Sequence, residues 1–156
     1  MPTTLTKQER DRVIGSLQEN VFEWTQQLCD SLAENYKQYH LRSMKQMNAQ
    51  SGSEYSRKEI EATENGTANL MKFVIKNGRK YYKIMQHDFD TFRDRNEYRE
   101  GGVHAFVDKK TGEVYKPASY NSPAKHVRYD MRIINQREQL HNPFFTGWAG
   151  GYLYMR

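Results

Sequence analysis

The sequence predicts an α+β protein: a long N-terminal helix or helical hairpin, followed by a small antiparallel sheet built from hairpins. Apolar residues recur with a helical period in the first third of the chain, an Asn-Gly pair after residue 70 separates two strand-like runs, and a second pair of runs follows. Helices first and strands later argue against a doubly wound sheet, in which the two alternate. We expect a helical region over 1–47, a polar linker with a possible short helix over 48–69, and a basic α+β domain over 70–156.

The first region carries the signals of one long helix. Thr6 and Glu9 have the spacing of a capping box, and apolar residues then recur every three or four positions up to Tyr39. Such a stripe is too long to be buried entirely on a small domain, so we expect it to pack on a partner helix, to fold back on itself or to self-associate. The residues predicted to form this partner interface, in a possible homodimer, are Leu17, Val21, Trp24, Leu28 and Leu32.

The linker is the least apolar stretch of the chain. Gln50–Ser53 has the composition of a flexible connection, and Ser56 with Glu59 has the spacing of a second capping box. A short helix that begins there would end near Asn65 and Gly66, because glycine is favoured immediately after a helix.

The first predicted hairpin has one basic face and one apolar face. Two alternating runs flank Asn77 and Gly78, which is the strongest short signal for a two-residue hairpin loop. That loop would place Lys76 opposite Arg79 and Lys72 opposite Lys83. The basic face then carries Lys72, Lys76, Arg79 and Lys83 around Val74 and Tyr81, and the apolar face carries Met71, Phe73, Tyr82 and Ile84.

A second hairpin is predicted further along the chain. Its strands are Val103–Val107 and Val114–Lys116, and the turn between them has Gly112 at a position suited to a left-handed bulge. Pro117 ends the second strand or places it at an edge, because proline cannot donate to the ladder.

The C-terminal part of the chain has weaker signals. Alternation of Val127, Tyr129, Met131 and Ile133 with charged residues predicts a further strand, and a helix over 123–134 is the alternative. We also expect a short helix from Asn135 and a last short strand over Tyr152–Tyr154.

Charge is distributed unevenly along the 156 residues. Residues 1–70 hold 8 basic and 10 acidic residues, a net charge of −2, whereas residues 71–156 hold 16 basic and 9 acidic residues, a net charge of +7. The single cysteine excludes an internal disulfide framework and a multi-cysteine zinc site. Without a long apolar run or a signal-peptide core near the N-terminus, the expectation is a soluble intracellular protein.

The basic face of the first hairpin suggests a nucleic-acid platform. Cations suit phosphates, and an aromatic ring among them suits base stacking. An ordinary solvated outer face of an antiparallel sheet is the alternative interpretation. The predicted nucleic-acid-binding residues are Lys72, Lys76, Arg79, Tyr81, Lys83, Arg128 and Arg132, and Lys109 and Lys110 are expected at the tip of the second hairpin.

No catalytic constellation stands out, so we expect a non-enzymatic protein without a cofactor or a metal. His87–Asp90 holds three potential metal ligands in four residues, but a turn is the better interpretation of such a cluster. Cys29 lies on the flank of the helix and is expected to act as a small apolar residue rather than a nucleophile.

Two stretches resemble small uncharacterised proteins of tailed bacteriophages, notably those that infect marine cyanobacteria. They are Val103–Ser119, continued by Ser122–Lys125 and Val127–Tyr129, and the closing Trp148–Tyr154. The resemblance covers roughly 103–156, excludes the N-terminal helix and implies a viral origin, with the host cytoplasm or the virion as location. It implies no activity and no catalytic residues.

The leading hypothesis is therefore a phage accessory protein that binds nucleic acid through its basic, aromatic sheet face. The alternative is a virion or assembly component, or a binder of a host protein, that uses the N-terminal helix and the aromatic C-terminus around Pro143–Trp148. No membrane partner is expected.

Overall fold

The computed structural model describes residues 4–155, and within them the chain forms a helical hairpin packed on an antiparallel sheet. The helices are α1 (Lys7–Ser51), α2 (Glu54–Asn65) and α3 (Ile134–Leu140). The strands are β1 (Lys72–Asn77), β2 (Tyr81–Asp90), β3 (Glu97–Asp108), β4 (Glu113–Tyr115) and β5 (Tyr129–Asp130). Every neighbouring pair is antiparallel and the spatial order follows the chain order. The predicted α+β class is confirmed.

Helix α1 begins and ends where its sequence signals place it. The Thr6 hydroxyl accepts a hydrogen bond from the Glu9 amide at 3.1 Å, and the Glu9 carboxylate accepts one from the Thr6 amide at 2.8 Å, which confirms the capping box. The helix continues past Met47 as a single element to Ser51. Gly52 then adopts the left-handed conformation, at a φ of 60°, and donates to the carbonyl of Asn48.

Helix α2 folds back along α1 after a tight connection. The predicted second capping box began at Ser56, but the residue that caps the helix is Ser53, whose hydroxyl accepts from the Ser56 amide at 3.1 Å. The left-handed Gly52 turns the chain at once, so Gly52 and Ser53 connect the helices without a flexible linker. Contacts between Ser56 and Asn48 at 3.3 Å, and between His40 and Glu59 at 3.1 Å, join the two helices.

The apolar stripe of α1 packs against this chain's own sheet, which corrects the predicted partner interface. Val21, Leu28 and Leu32 are fully buried, and Leu17 and Trp24 pack against the same cluster. The sheet residues in that core are Phe73, Ile84, Ala105, Val107 and Val114. Burial of each large aliphatic side chain stabilises the fold by about 2 kcal/mol. Val21, Leu28 and Leu32 therefore offer no exposed surface for the predicted self-association, whereas Leu17 and Trp24 remain half-buried.

Residues near the C-terminus fasten α1 to the rest of the molecule. Ser31 and Thr146 share a buried hydrogen bond of 2.8 Å, and the Asn35 side chain donates to the carbonyl of Pro143 and accepts from the amide of Trp148. The middle of the first helix and the last part of the chain thus enclose the core together.

The register of the first hairpin differs from the predicted one by four residues. Lys76 lies opposite Lys83, and Ile75 opposite Ile84, because a turn closed by the Gly78 amide and the Tyr81 carbonyl replaces the two-residue loop. This register brings Ile75 beside the buried Ile84 on the helix side of the sheet. Side chains alternate along a strand, so a shift by an even number leaves the two predicted faces unchanged.

Four further predictions near and after the second hairpin are confirmed or corrected by the structure. Gly112 has a φ of 75°, which confirms its left-handed position, and its Cβ would lie 3.2 Å from Met131. The strand predicted over 127–133 is only β5, since the Asp130 carboxylate accepts from the Arg132 amide and turns the chain. The alternative helix over 123–134 is also wrong. Helix α3 confirms the expected short helix, but its N-cap is Ile133 and Asn135 lies inside it.

The last predicted strand is wrong as well. Gly151–Leu153 forms a single 3-10 turn, which follows a left-handed Gly150 with a φ of 86°. Tyr152 and Leu153 face the core from this turn, and so no strand is needed to place them.

Strands β2 and β3 extend beyond β1 as a two-stranded ribbon over residues 88–99, which we call the arm. Its tip is a 3-10 turn with positive φ values of 47–58° at Arg93, Asp94 and Asn96. His87–Asp90 thus lies in a strand and not in the predicted turn. In the part of the chain that the structure describes, no helix is both long and apolar enough to cross a membrane.

Candidate nucleic-acid interface

Two turns meet at one end of the sheet and bring four cations together. In an antiparallel meander alternate turns lie at the same end, so the β1–β2 turn adjoins the β3–β4 turn. The Lys109 amide donates to the Lys80 carbonyl at 3.1 Å across this junction. We call this region the hairpin end and define it by Arg79, Lys80, Lys109 and Lys110.

The β3–β4 turn is held rigidly by its own sequence. The Asp108 carboxylate accepts hydrogen bonds from the amides of Lys110 and Thr111, at 2.8 and 3.1 Å. Such a bond pattern is the reason that aspartate is favoured at the start of turns. The backbone from which Lys109 and Lys110 project is therefore fixed.

A recess of about 370 Å³ lies between these turns and α1. Its lining consists of the four cations of the hairpin end together with Gln18, Tyr82 and Asp108. The Lys109 ammonium lies 5.0 Å from the centre of the Tyr82 ring, and the Lys80 ammonium 5.3 Å from that of Tyr81. Cation–π contacts at this distance contribute about 0.5–1 kcal/mol at exposed sites and leave the charge in place.

The hairpin end carries uncompensated positive charge. Among residues 4–155, none of its four cations forms an ion pair with a carboxylate. The nearest acidic group in the recess, Asp108, already accepts from two turn amides. An incoming anion would therefore not have to displace an internal partner.

The predicted basic face contains the expected side chains, but most of them have internal partners. Lys76 forms an ion pair with Glu100 at 3.0 Å and donates to the Tyr120 hydroxyl at 2.8 Å; these contacts raise its pKa. Lys83 donates to the Tyr120 carbonyl at 2.8 Å. Lys72 lies 4.0 Å from the centre of the Tyr98 ring. Of the cations predicted on this face, Arg79 alone belongs to the hairpin end.

The ring of Tyr81 is half-buried among other aromatic rings. It meets Phe106 and Tyr115 edge-on, with centroids 5.6 and 6.0 Å away. These contacts leave less of its face for stacking than the sequence suggested.

Arg128 and Arg132 hold the C-terminal part of the chain together. Arg128 donates to the carbonyls of Leu153, Lys125 and His126 at 2.6–2.7 Å. Arg132 forms an ion pair with Asp130 at 2.8 Å and lies 3.8 Å from Glu113. Hydrogen bonds from Arg132 hold the pKa of Asp130 below its usual value. Both guanidinium groups are thus occupied within the fold.

Burial strongly shifts the pKa values of titratable groups in the core, among them Cys29 and His104. Burial raises the pKa of the Cys29 thiol to about 12, so the thiol is not an available nucleophile. Burial also lowers the pKa of His104 to about 4, and its Nε2 shares a hydrogen bond of 2.8 Å with the Tyr152 hydroxyl. Within residues 4–155, no group of three or more His, Cys, Asp or Glu side chains is placed to hold a metal ion.

Sequence reasoning missed that the hairpin end is one site. Lys80 was not singled out, and Lys109 and Lys110 were placed at a separate tip. The predicted order of antiparallel strands could have indicated this site, because the β1–β2 turn and the β3–β4 turn of a meander fall at the same end of the sheet. The contribution of Gln18 from α1 could not be predicted, since the helical period does not say which turn of α1 reaches the hairpins.

Comparison with known proteins identifies a family and no relative of known activity. No curated protein and no solved structure matches the chain. The model of a family of unknown function, DUF7717, matches residues 5–155, which is nearly the whole length, and the chain belongs to that family.

Proposed function

We propose that the protein binds nucleic acid and that the hairpin end makes the main phosphate contacts. The observation that carries this proposal is the convergence of Arg79, Lys80, Lys109 and Lys110 on one recess without an ion pair among the described residues. Phosphate binding by lysine and arginine releases counterions from the nucleic acid, and this release drives association. Cations that have no ion pair within the protein contribute fully to the free energy gained from this counterion release.

The sheet face has a supporting role in this proposal. Lys72, Lys76 and Lys83 extend the positive potential along the sheet, although Glu100 and Tyr120 already engage two of them. Partly compensated cations of this kind steer a polyanion towards the surface more than they bind it. We therefore place the strongest contacts at the hairpin end and the weaker ones on the predicted face.

We propose binding rather than catalysis, and a phage accessory role, on separate grounds. Cys29 is buried, and the Nε2 of His104, which lines a recess of about 350 Å³, already shares a hydrogen bond with the Tyr152 hydroxyl. The resemblance of residues 103–156 to proteins of tailed phages supports a viral origin and a place in the infected host cytoplasm or in the virion.

Fluorescence anisotropy with labelled single-stranded DNA, duplex DNA and RNA at several salt concentrations tests the proposal. Lys109→Glu with Lys110→Glu should weaken binding at least tenfold and lower the salt slope by about 1.4–1.8, since two phosphate contacts are lost. The matched control reverses two exposed charges on the helices, Lys7→Glu with Arg57→Glu, for the same change in net charge. Equal losses in both double variants, or no binding by the wild-type protein at low salt, would overturn the proposal.

A second candidate function rests on an exposed aromatic surface. Phe144 is 92% exposed, and Phe145 and Tyr154 lie with it around a recess of about 530 Å³. Exposed aromatic clusters mark protein-binding surfaces. This surface supports the assembly or host-protein alternative, in which the aromatic C-terminus, and not the buried stripe of α1, makes the contacts. Cross-linking from a photoreactive group at position 144 would test it, with position 55 on α2 as the control.

A further inference from the structure

The recess at the hairpin end adjoins a second one along α1. The second recess, about 540 Å³, is lined by Gly15, Gln18, Glu19, Phe22, Glu23 and Tyr82, and we call it the helix recess. Gln18 and Tyr82 line both. The two recesses are therefore neighbours, and we refer to them together as the groove.

Phe22 presents an aromatic ring in the helix recess. Its side chain is 46% exposed, although Val21, directly before it, and Thr25, about one turn after it, are completely buried. The ring meets Tyr82 edge-on, with centroids 5.5 Å apart and planes at 68°. This contact fixes Phe22 from one side, so that its exposed surface is a rigid apolar platform of the size of one base.

The two halves of the groove have opposite charges. Glu19 and Glu23 flank Phe22, one turn apart on α1, and neither forms an ion pair within residues 4–155. Carboxylates repel a phosphate and accept hydrogen bonds from amino groups. The groove thus has cations in the hairpin end and hydrogen-bond acceptors around an aromatic ring in the helix recess.

The phosphate and the base of a nucleotide are complementary to the two halves of this groove. Its phosphate is anionic, its base stacks on aromatic rings, and adenine, cytosine and guanine carry amino donors. We propose that the groove holds one nucleotide of a single strand, with its phosphate against the hairpin end and its unpaired base on Phe22 near Glu19 or Glu23. The proposal rests on the proposed function and names the strand form that it binds.

Duplexes cannot use the helix recess, because their bases are stacked and paired inside the helix. Phosphate contacts alone would then remain, and duplex binding would depend on the hairpin end only. The carboxylates add a second consequence, a preference for oligo-dC over oligo-dT, since cytosine presents an amino group where thymine presents a carbonyl.

Affinity measurements on Phe22→Ala separate this inference from the proposed function. Loss of one stacked base should weaken single-stranded DNA binding by about tenfold and leave duplex binding unchanged. Phe22→Trp should retain single-stranded binding, since it keeps an aromatic platform. Phe92→Ala is the control, because Phe92 is also exposed, at 62%, but lies at the tip of the arm. A second test, Glu19→Gln with Glu23→Gln, should abolish the preference for oligo-dC.

Each outcome has a distinct meaning. If Phe22→Ala leaves single-stranded affinity unchanged while Lys109→Glu with Lys110→Glu still abolishes binding, the nucleotide groove is wrong and the phosphate site stands. If Phe22→Ala weakens single-stranded and duplex binding equally, the inference is also overturned, since the ring would act through the fold. If the wild-type protein binds no nucleic acid, both proposals fall.

Discussion

The two ends of the sheet carry similar numbers of cations in different states. At the hairpin end, Arg79, Lys80, Lys109 and Lys110 have no ion pair among the described residues. At the opposite end, about 30 Å away along β2, the arm places both Arg95 and Arg99 on one carboxylate, that of Asp90, at 3.3 and 3.2 Å. Positive charge is thus available at the hairpin end, whereas two of the three arginines of the arm share one carboxylate.

The difference shows that a count of basic residues does not locate a polyanion site. The arm uses its arginines to hold a tip with three residues in the left-handed region, and Asp90 also accepts from the Phe92 amide at 2.8 Å. That amide, followed by the two arginines, holds the pKa of Asp90 below its usual value. Cations with a structural task contribute little to binding, whereas cations on short, rigid turns remain available.

The largest expected effect is on the free energy of unfolding and arises in the core that both ends of the sheet share. His104 in β3 has a pKa of about 4 in the folded state against 6.5 for the unperturbed group, because of its burial. Between pH 4 and pH 6.5 the His104 imidazole is therefore protonated more readily in the unfolded chain than in the folded protein. The contribution of the neutral imidazole to the free energy of unfolding is complete above pH 6.5 and is lost as the pH falls towards 4. We expect a loss of about 2 kcal/mol in the free energy of unfolding between pH 7 and pH 5.

Urea titrations at pH 7 and pH 5 measure this loss. The variant His104→Gln, which has no titrating group, should show a much smaller difference between the two pH values. A wild-type protein equally stable at both would contradict the buried, neutral histidine. Because both ends depend on the same core, the acid-induced loss should expose them together in hydrogen exchange.

The next largest expected effect is on nucleic-acid affinity and follows from removing the carboxylate that pairs with the arginines of the arm. Asp90→Asn keeps an oxygen for the Phe92 amide but removes the charge that binds Arg95 and Arg99. Two cations would become available, and affinity for duplex DNA at low salt should rise by about fivefold, with a steeper salt slope. Anisotropy titrations decide the question, and Asp94→Asn in the same tip is the control. An unchanged affinity would mean that ion pairing does not explain the difference between the ends.

The smallest effect concerns the helix beside the hairpin end. Gly15 lies inside α1, and a Cβ there would meet no atom within 4 Å. Gly15→Ala should therefore raise the free energy of unfolding by about 0.5–1 kcal/mol, because glycine disfavours a helix interior. Thermal unfolding measures this gain. Nucleic-acid affinity should stay the same, whereas a large side chain, as in Gly15→Leu, should obstruct the helix recess and weaken single-stranded binding.

Local features of the fold could be predicted from the sequence. The capping box of Thr6 and Glu9 involves residues one turn apart, and the left-handed Gly112 follows from its own turn. The faces of β1 and β2 were also predictable, because the alternation of side chains is insensitive to an error of four residues in register. Information within a few residues was sufficient in each case.

Features that depend on distant partners could not be predicted in the same way. The period of α1 says that Val21 and Leu28 are buried but not that the sheet covers them. The basic residues of the first hairpin were identified without the partners that occupy them, since Glu100 and Tyr120 come from other parts of the chain. The proposed phosphate site therefore lies at the end of the predicted basic face and not in its middle.

The attachment of α1 to the end of the chain has a consequence for synthesis on the ribosome. Helix α1 emerges first, but Asn35 and Ser31 meet their partners, Pro143, Trp148 and Thr146, only after more than a hundred further residues. Until β1–β4 have been made, the apolar stripe of α1 has no sheet to cover it, and a nascent chain with exposed apolar surface is a substrate for chaperones. The contacts that fasten the middle of α1 can thus form only after Trp148 has been synthesised.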